Sequence, residues 1–292
     1  MTVQTRVSRR EWLIGLWRLM HPGPSLVSAL AYALFAVLAA QGRPDPVKLL
    51  VTLMGMVALQ FAISALNDFC DREADAQSRK VKPVALGVLS PRVPLIATAV
   101  LTAIMIACYA LYGLAPLAIA TAFLILGFAY DVGLKSTPLG GVLMGLAFPL
   151  LPLLAWNLFA TIKPALFWTF VIGLALGISI HLADALPDAE ADSAAHAHGL
   201  AQLFGRHALQ ACWLFLAGAN LLILLLAMAR FTPARPAVLL ISEPVAMALL
   251  LASAWVSRQR LRAQEQRLRA NFMLTVGVAL VTAVGWLISA VL

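Results

Sequence analysis

Apolar runs long enough to cross a bilayer recur along this chain, and no other feature restricts its fold as much. A run of about 20 apolar residues is the length of a membrane-crossing helix, and a helix satisfies its own backbone hydrogen bonds in lipid. Such runs lie near 24–41, 49–69, 93–112, 116–131, 139–158, 165–184, 207–229, 238–256 and 271–292. They predict an all-α integral membrane protein with nine transmembrane helices. Only 12% of the 292 residues are charged and 62% are hydrophobic, whereas a soluble domain is roughly a quarter charged. No polar linker or low-complexity tract divides the runs, so residues 1–292 read as a single domain.

The net charge of +8 would point to nucleic acid in a soluble protein. Here its distribution reads as membrane orientation, with no nucleic-acid partner. With a cytoplasmic N-terminus, only Arg43, Lys48, Lys163, Arg230 and Arg235 of the 21 Lys and Arg fall outside. The positive-inside rule then predicts a multi-pass cell-membrane protein with its N-terminus inside and its C-terminus on the opposite side. Residues 1–20 carry Arg6, Arg9, Arg10 and Arg18 around Trp12 and Trp17, the composition of a basic segment lying at the membrane surface. Arg18 stands just before His21-Pro22 and is placed to reach a site there. Cys70, Cys108 and Cys212 have neither metal nor disulfide spacing.

Two acidic clusters interrupt this pattern. Asn67, Asp71 and Asp75 follow the run from Leu49 to Leu66 at i, i+4, i+8, so on a helix they share a face. Asp184, Asp188 and Asp192 repeat the spacing after the run from Leu166 to Ile180. Carboxylates stacked this way repel one another unless a cation lies among them. Oxygen-only donors favour a hard divalent ion, Mg²⁺, which is usually held by few carboxylates together with substrate phosphate. Both clusters fall on the predicted cytoplasmic side and read as two walls of one site. Arg72, Arg79, Lys80 and Lys82 flank the first cluster, and Lys135 closes the fourth run. Cations beside metal-binding carboxylates suit a diphosphate. Orientation alone is the competing reading for each of them, and it is weakest for the isolated Lys135.

A diphosphate over an apolar bundle fits cleavage of an allylic C–O bond, with the cation protected from water. Tyr130, Phe148, Trp156 and Trp168 are the aromatic rings available to stabilise such a cation, although ordinary membrane packing or interface anchoring is the better reading for any single one of them. His181 precedes Asp184 by three residues, and His196 and His198 flank the second cluster. His181 reads as a partner supporting Asp184 or simply as a polar residue at a helix end. His196 and His198 read as an accessory base or pH sensor or, with the larger share, as solvated surface residues.

At Asn67-Asp68-x-x-Asp71-x-x-x-Asp75, at Asp184-x-x-x-Asp188-x-x-x-Asp192 and from Tyr130 to Lys135, the sequence resembles the UbiA superfamily of intramembrane prenyltransferases. The resemblance extends over nearly the whole chain. It implies a nine-helix transmembrane bundle around a central cavity that opens to lipid. It also implies Mg²⁺-dependent transfer of an isoprenoid from an isoprenyl diphosphate donor to a hydrophobic or aromatic acceptor. Asn67, Asp71 and Asp75 would bind one Mg²⁺, and Asp188 and Asp192 with Asp184 the other. Arg72, Lys82 and Lys135 would hold the diphosphate, joined by Arg79 and Arg18. Asp71, Asp188, Lys135 and Tyr130 are the catalytic candidates. Lys82-Pro83 stands where members of the family often have Arg-Pro. Three other readings remain: a terpene cyclase on the same bundle, phosphoribosyl transfer to a lipid phosphate, and an ion-coupled transporter. The basic residues beside both clusters disfavour transport of a cation.

Overall fold

The computed structural model describes residues 7–77, 81–188, 199–229, 235–259 and 264–291. Among the described residues there is no β-strand, and nine helical segments are long and apolar enough to cross a membrane. These are Pro22–Ala39, Pro46–Gln77, Arg92–Ala110, Leu114–Asp131, Leu139–Phe159, Pro164–Ala185, Leu200–Met228, Pro236–Arg258 and Gln266–Val291. The protein is therefore a multi-pass membrane protein, with spans where the apolar runs predict them. The chain forms two compact units, one of residues 1–132 with 154–159 and the other of 133–153 with 160–292.

The first unit begins with helix α1, Arg9–Leu19. Its start is set by a capping box: Ser8 Oγ accepts from the Glu11 amide, and Glu11 Oε2 accepts from the Ser8 amide at 2.8 Å. Trp12, Leu13, Ile14 and Trp17 are exposed on it, as suits a helix lying in a membrane interface. Helix α2 spans Pro22–Ala39, α3 spans Pro46–Gln77, α4 spans Arg92–Ala110 and α5 spans Leu114–Asp131. Helix α3 is the spine of this unit and packs against α2, α4 and α5. It continues past the predicted end near residue 69 to Gln77, so the whole first acidic motif is helical. Gly55 lets α4 approach α3, for a Cβ there would lie 2.9 Å from the Tyr109 ring. The Tyr109 hydroxyl donates to the Thr52 carbonyl at 2.9 Å.

In the second unit α6 spans Leu139–Ala147 and α8 spans Trp168–Ala185; between them α7, Leu150–Phe159, runs from this unit into the first. Helices α6 and α8 cross through glycines spaced four apart, Gly141 and Gly145 against Gly173 and Gly177. A Cβ on Gly177 would lie 2.3 Å from the Gly145 Cα. Such crossings bring backbones together in lipid, where van der Waals packing replaces the hydrophobic drive. The short α9, Leu200–Phe204, precedes α10, Ala208–Met228; α11, Leu239–Arg258, and α12, Gln264–Trp286, complete the unit. Buried polar side chains tie these helices: Ser253 Oγ donates to Asn271 Oδ1 at 2.7 Å, Trp213 Nε1 to Ser253 Oγ at 3.0 Å, and Thr282 Oγ1 to Asn220 Oδ1 at 3.0 Å.

Candidate active site

The first acidic motif occupies the last turns of α3, and two neighbouring segments are fastened against it. The first is the turn between α1 and α2. His21 has φ 43° and ψ 59°, a left-handed conformation uncommon for a residue other than glycine. Pro22 starts α2 directly after it, and a proline discourages the right-handed helical conformation in the residue before it. The turn is held by the His21 amide on the Arg18 carbonyl at 3.1 Å and by Ser25 Oγ on the Met20 carbonyl at 2.9 Å. The second segment is the turn from Lys82 to Leu89. The Leu86 amide donates to Lys82 O, and the Val88 and Leu89 amides donate to Pro83 O. Gly87 supplies the positive φ, 70°, that closes this turn. Val84 and Leu89 are buried with Leu19 of α1 and Ala65 of α3, two residues before Asn67. This small apolar cluster fixes the root of Lys82 beside the carboxylates.

The Lys82 ammonium lies 2.9 Å from Asp75 Oδ2, 3.1 Å from Asp68 Oδ1, 3.3 Å from Asn67 Oδ1 and 3.8 Å from Asp71 Oδ2. Burial opposes the charge of Lys82, but the Asp75 and Asp68 carboxylates outweigh it and hold its pKa above the ordinary lysine value. Asn67 is oriented by Asp131 at the end of α5, where Asn67 Nδ2 donates to Asp131 Oδ1 at 2.9 Å. That contact turns the Asn67 carbonyl toward the ammonium. Of the predicted first-cluster ligands, Asp75 is buried while Asn67 and Asp71 are half-buried.

Asp68 is the residue that helix-face reasoning passed over. Its side chain has no exposure, and Oδ1 takes both Lys82 and His21 Nε2, the latter at 2.8 Å. A carboxylate oxygen accepts, so Nε2 carries the hydrogen of the imidazole. The signal was present in the sequence. At about 100° per residue, positions i, i+4 and i+8 drift by about 40° each, which puts Asp68 only about 20° from Asp75 around the helix axis. Asn67 is farther from Asp75 than Asp68 is. Asp131, adjacent to Tyr130, carries no spacing signal of its own, and its contact with Asn67 arises only from the packing of α5 on α3.

Arg18, His21, Asp68 and Lys82 line a cavity of about 360 Å³, walled otherwise by Pro22, Gly23, Pro24, Val81 and Pro83. Arg18 therefore faces the same site as Lys82. Arg72 points elsewhere: its guanidinium donates to the Phe69 carbonyl and to Glu73 Oε1, each at 2.8 Å, and stacks over the Phe69 ring at 4.4 Å. Arg79, another predicted cation, lies outside the described residues, as do Lys80, Asp192, His196 and His198. Tyr130 is half-buried near the end of α5.

In the second unit Lys135 is half-buried in a 3₁₀ turn, Leu134–Ser136, entered through Gly133 at φ 127°. Asp184 is exposed in the last turn of α8. The even i, i+4 helical spacing does not continue from there. The α-helix stops at Ala185, and Leu186–Asp188 tightens into a 3₁₀ turn. Pro187 accounts for the change, since it lacks an amide donor and crowds the carbonyl four residues earlier. His181 is buried on α8, with its ring against Gly140 and Gly141 of α6. Phe148 and Trp168 are half-buried here, and Trp156, in the first unit, is fully buried.

Among the described residues no three His, Cys, Asp or Glu side chains converge on a point at metal-ligand spacing. In the first cluster the ammonium stands between the carboxylates. The donor set nevertheless fits Mg²⁺, because every donor is a hard oxygen and the cradle already accepts a cation. Among the described residues Asp68 Oδ2 is also buried with no hydrogen-bond partner, so Asp68 retains acceptor capacity.

The sequence model of the UbiA prenyltransferase family matches residues 25–278. The chain belongs to this family. The 4-hydroxybenzoate octaprenyltransferase of Aeromonas hydrophila is 30% identical over 173 residues, covering 58% of this chain and 60% of the relative. The protoheme IX farnesyltransferase of Tropheryma whipplei is 30% identical over 141 residues, 47% of this chain and 46% of the relative. The chain thus spans about 60% of the length of the 4-hydroxybenzoate octaprenyltransferases of Aeromonas that it matches. Among solved structures, a UbiA homologue from Archaeoglobus fulgidus bound to GPP and Mg²⁺ superposes with a TM-score of 0.72 at 17% identity, covering 93% of this chain and 99% of that one. A digeranylgeranylglyceryl phosphate synthase superposes with a TM-score of 0.72 at 16% identity, covering 94% and 99%. The UbiA fold is therefore common to all three chains.

Proposed function

We propose that this chain is a Mg²⁺-dependent intramembrane prenyltransferase that moves an isoprenoid group from an allylic diphosphate to an acceptor, an aromatic ring or quinone precursor. One observation supports this reading above the others: in a UbiA-family chain, Asn67, Asp68, Asp71 and Asp75 all present oxygens within 3.8 Å of one cation, the Lys82 ammonium. Asn67, Asp71 and Asp75 would hold one Mg²⁺, and Asp184, Asp188 and Asp192 a second. Bound Mg²⁺ would supply charge neutralisation to the departing diphosphate. Lys82, Arg18 and Lys135, with Arg79, donate charge-assisted hydrogen bonds to diphosphate oxygens. Arg72 joins them only by leaving Glu73. The Tyr130 ring stabilises positive charge on the allylic carbon, and the apolar spans keep water from it. Residues 1–292 act as one domain, with the N-terminus and the acidic clusters cytoplasmic and the C-terminus on the other side.

The test is diphosphate release by the protein in nanodiscs, with Mg²⁺ and a panel of allylic diphosphates, with and without aromatic acceptors, and products identified by mass. Acceptor-dependent release with a prenylated product is expected, and Asp71→Ala and Asp188→Ala should abolish it while the helical bundle still folds. Release without acceptor, giving a cyclic product, would assign the chain to terpene cyclisation instead. No release from any allylic diphosphate would refute prenyl transfer.

A further inference from the structure

Lys82 and a metal ion have the same claim on α3. The ammonium lies between Asp75 Oδ2, Asp68 Oδ1 and Asn67 Oδ1 at 2.9, 3.1 and 3.3 Å, with Asp71 Oδ2 at 3.8 Å. A Mg²⁺ ion needs its oxygens at about 2.1 Å, so an ion held by Asn67, Asp71 and Asp75 would fall in the space that Nζ fills. Two cations do not share one cradle of that size. The backbone of Lys82 is fastened by the Val84 and Leu89 cluster and by the turn hydrogen bonds, whereas its side chain ends at the 360 Å³ cavity that Arg18 and His21 also line. Because Lys82 itself lines that cavity beside Arg18 and His21, an anion arriving there would favour movement of the ammonium out of the cradle.

We propose that Lys82 is a built-in counterion that competes with Mg²⁺ for the first carboxylate cluster, so that metal is held tightly only when a diphosphate draws the ammonium into the cavity. The inference rests on the metal-dependent reading above and adds an order to it. Metal alone binds weakly, diphosphate and metal each strengthen the other, and the coupling passes through one side chain. Coupling of this kind is reciprocal, so the factor by which diphosphate tightens Mg²⁺ equals the factor by which Mg²⁺ tightens diphosphate. Asp68 is the positioning residue of the device. It is fully buried, is braced by His21, and presents to the ammonium an oxygen outside the proposed metal-ligand set.

The experiment measures Mg²⁺ binding calorimetrically on the protein in nanodiscs, for the wild type, Lys82→Met and Lys82→Arg, with binding of labelled inorganic pyrophosphate measured separately at saturating Mg²⁺. Lys82→Met should bind Mg²⁺ alone about ten-fold tighter than the wild type or more, and should bind pyrophosphate more weakly. Lys82→Arg keeps the charge and should retain weak metal binding. A second measurement needs no variant: amine acylation of Lys82 in the wild type, followed by peptide mass, should speed up when Mg²⁺ alone is raised to saturation. Unchanged or weaker Mg²⁺ binding in Lys82→Met, or acylation that Mg²⁺ leaves unchanged or slows, overturns the competition. Should the wild type bind no Mg²⁺ with or without pyrophosphate, the metal-dependent function falls together with it. Mg²⁺-dependent pyrophosphate binding in the wild type with equal metal affinity in Lys82→Met removes the competition alone.

Discussion

The coupling between Asp68 and Lys82 can be measured directly, and the structure sets its size. At 3.1 Å and an effective dielectric of about 20, a unit pair attracts by about 5 kcal/mol before desolvation. Asp68 is fully buried and Lys82 mostly so, with side-chain exposures of 0% and 22%, and desolvation takes back much of that attraction. Hydrogen bonds to charged groups leave a net of about 1.5–3 kcal/mol. Lys82 also keeps Asp75 at 2.9 Å when Asp68 is neutralised. A double-mutant cycle of Asp68→Asn with Lys82→Met is therefore expected to show a coupling of about 2 kcal/mol. Asp68→Asn alone should destabilise by a similar amount, and the second substitution should add less than it does in the wild type. The assay is reversible unfolding in mixed SDS micelles, followed by tryptophan fluorescence and helical circular dichroism. A coupling below about 0.5 kcal/mol, the additivity expected of independent sites, would show that the close approach of these groups carries no energy.

Three further outcomes are expected. Gly177→Ala puts a Cβ 2.3 Å from the Gly145 Cα, a backbone atom that cannot give way, so it should destabilise by about 1–3 kcal/mol; Gly218→Ala meets nothing within 4 Å and should leave the melting temperature unchanged or higher. Lys135→Ala should raise the KM for the allylic diphosphate about ten-fold or more, the loss of one charge-assisted contact, and an unchanged KM in steady-state kinetics would remove Lys135 from the donor site. The Ser8 amide and hydroxyl lower the pKa of Glu11 beneath 4.5, so the cap contributes fully above that value and is lost as pH falls through the lowered native one. Hydrogen exchange at the first turn of α1, corrected for intrinsic rates, should therefore rise in acid for the wild type and show no such step in Glu11→Gln.

The membrane character, the number of spans and the presence of two acidic clusters were all legible in the sequence, because each depends on local composition over about 20 residues and on spacing within one helix. The likeness to the UbiA pattern was carried by the same short motifs. The grouping of the first cluster was legible only in part, for helix geometry places Asp68 beside Asp75 but does not name their distant partners. Helix spacing chose Asn67, Asp71 and Asp75, but a helix drifts about 40° over four residues, and that drift carries Asp75 toward Asp68. Nothing local announces that His21, 47 residues away, meets Asp68 at 2.8 Å. That meeting requires the left-handed turn before Pro22. Nor does composition reveal that Arg72, inside the motif, turns to Glu73 while Lys82, ten residues on, reaches the carboxylates. The i, i+4 spacing of Asp184 and Asp188 suggested an unbroken helix, whereas the backbone tightens at Leu186–Asp188 around Pro187. Spans were fixed by the sequence itself because lipid imposes one solution on each apolar run. The partners of Lys82 were fixed only in three dimensions, because a buried charge settles among all the opposite charges that the packed turns bring within its reach.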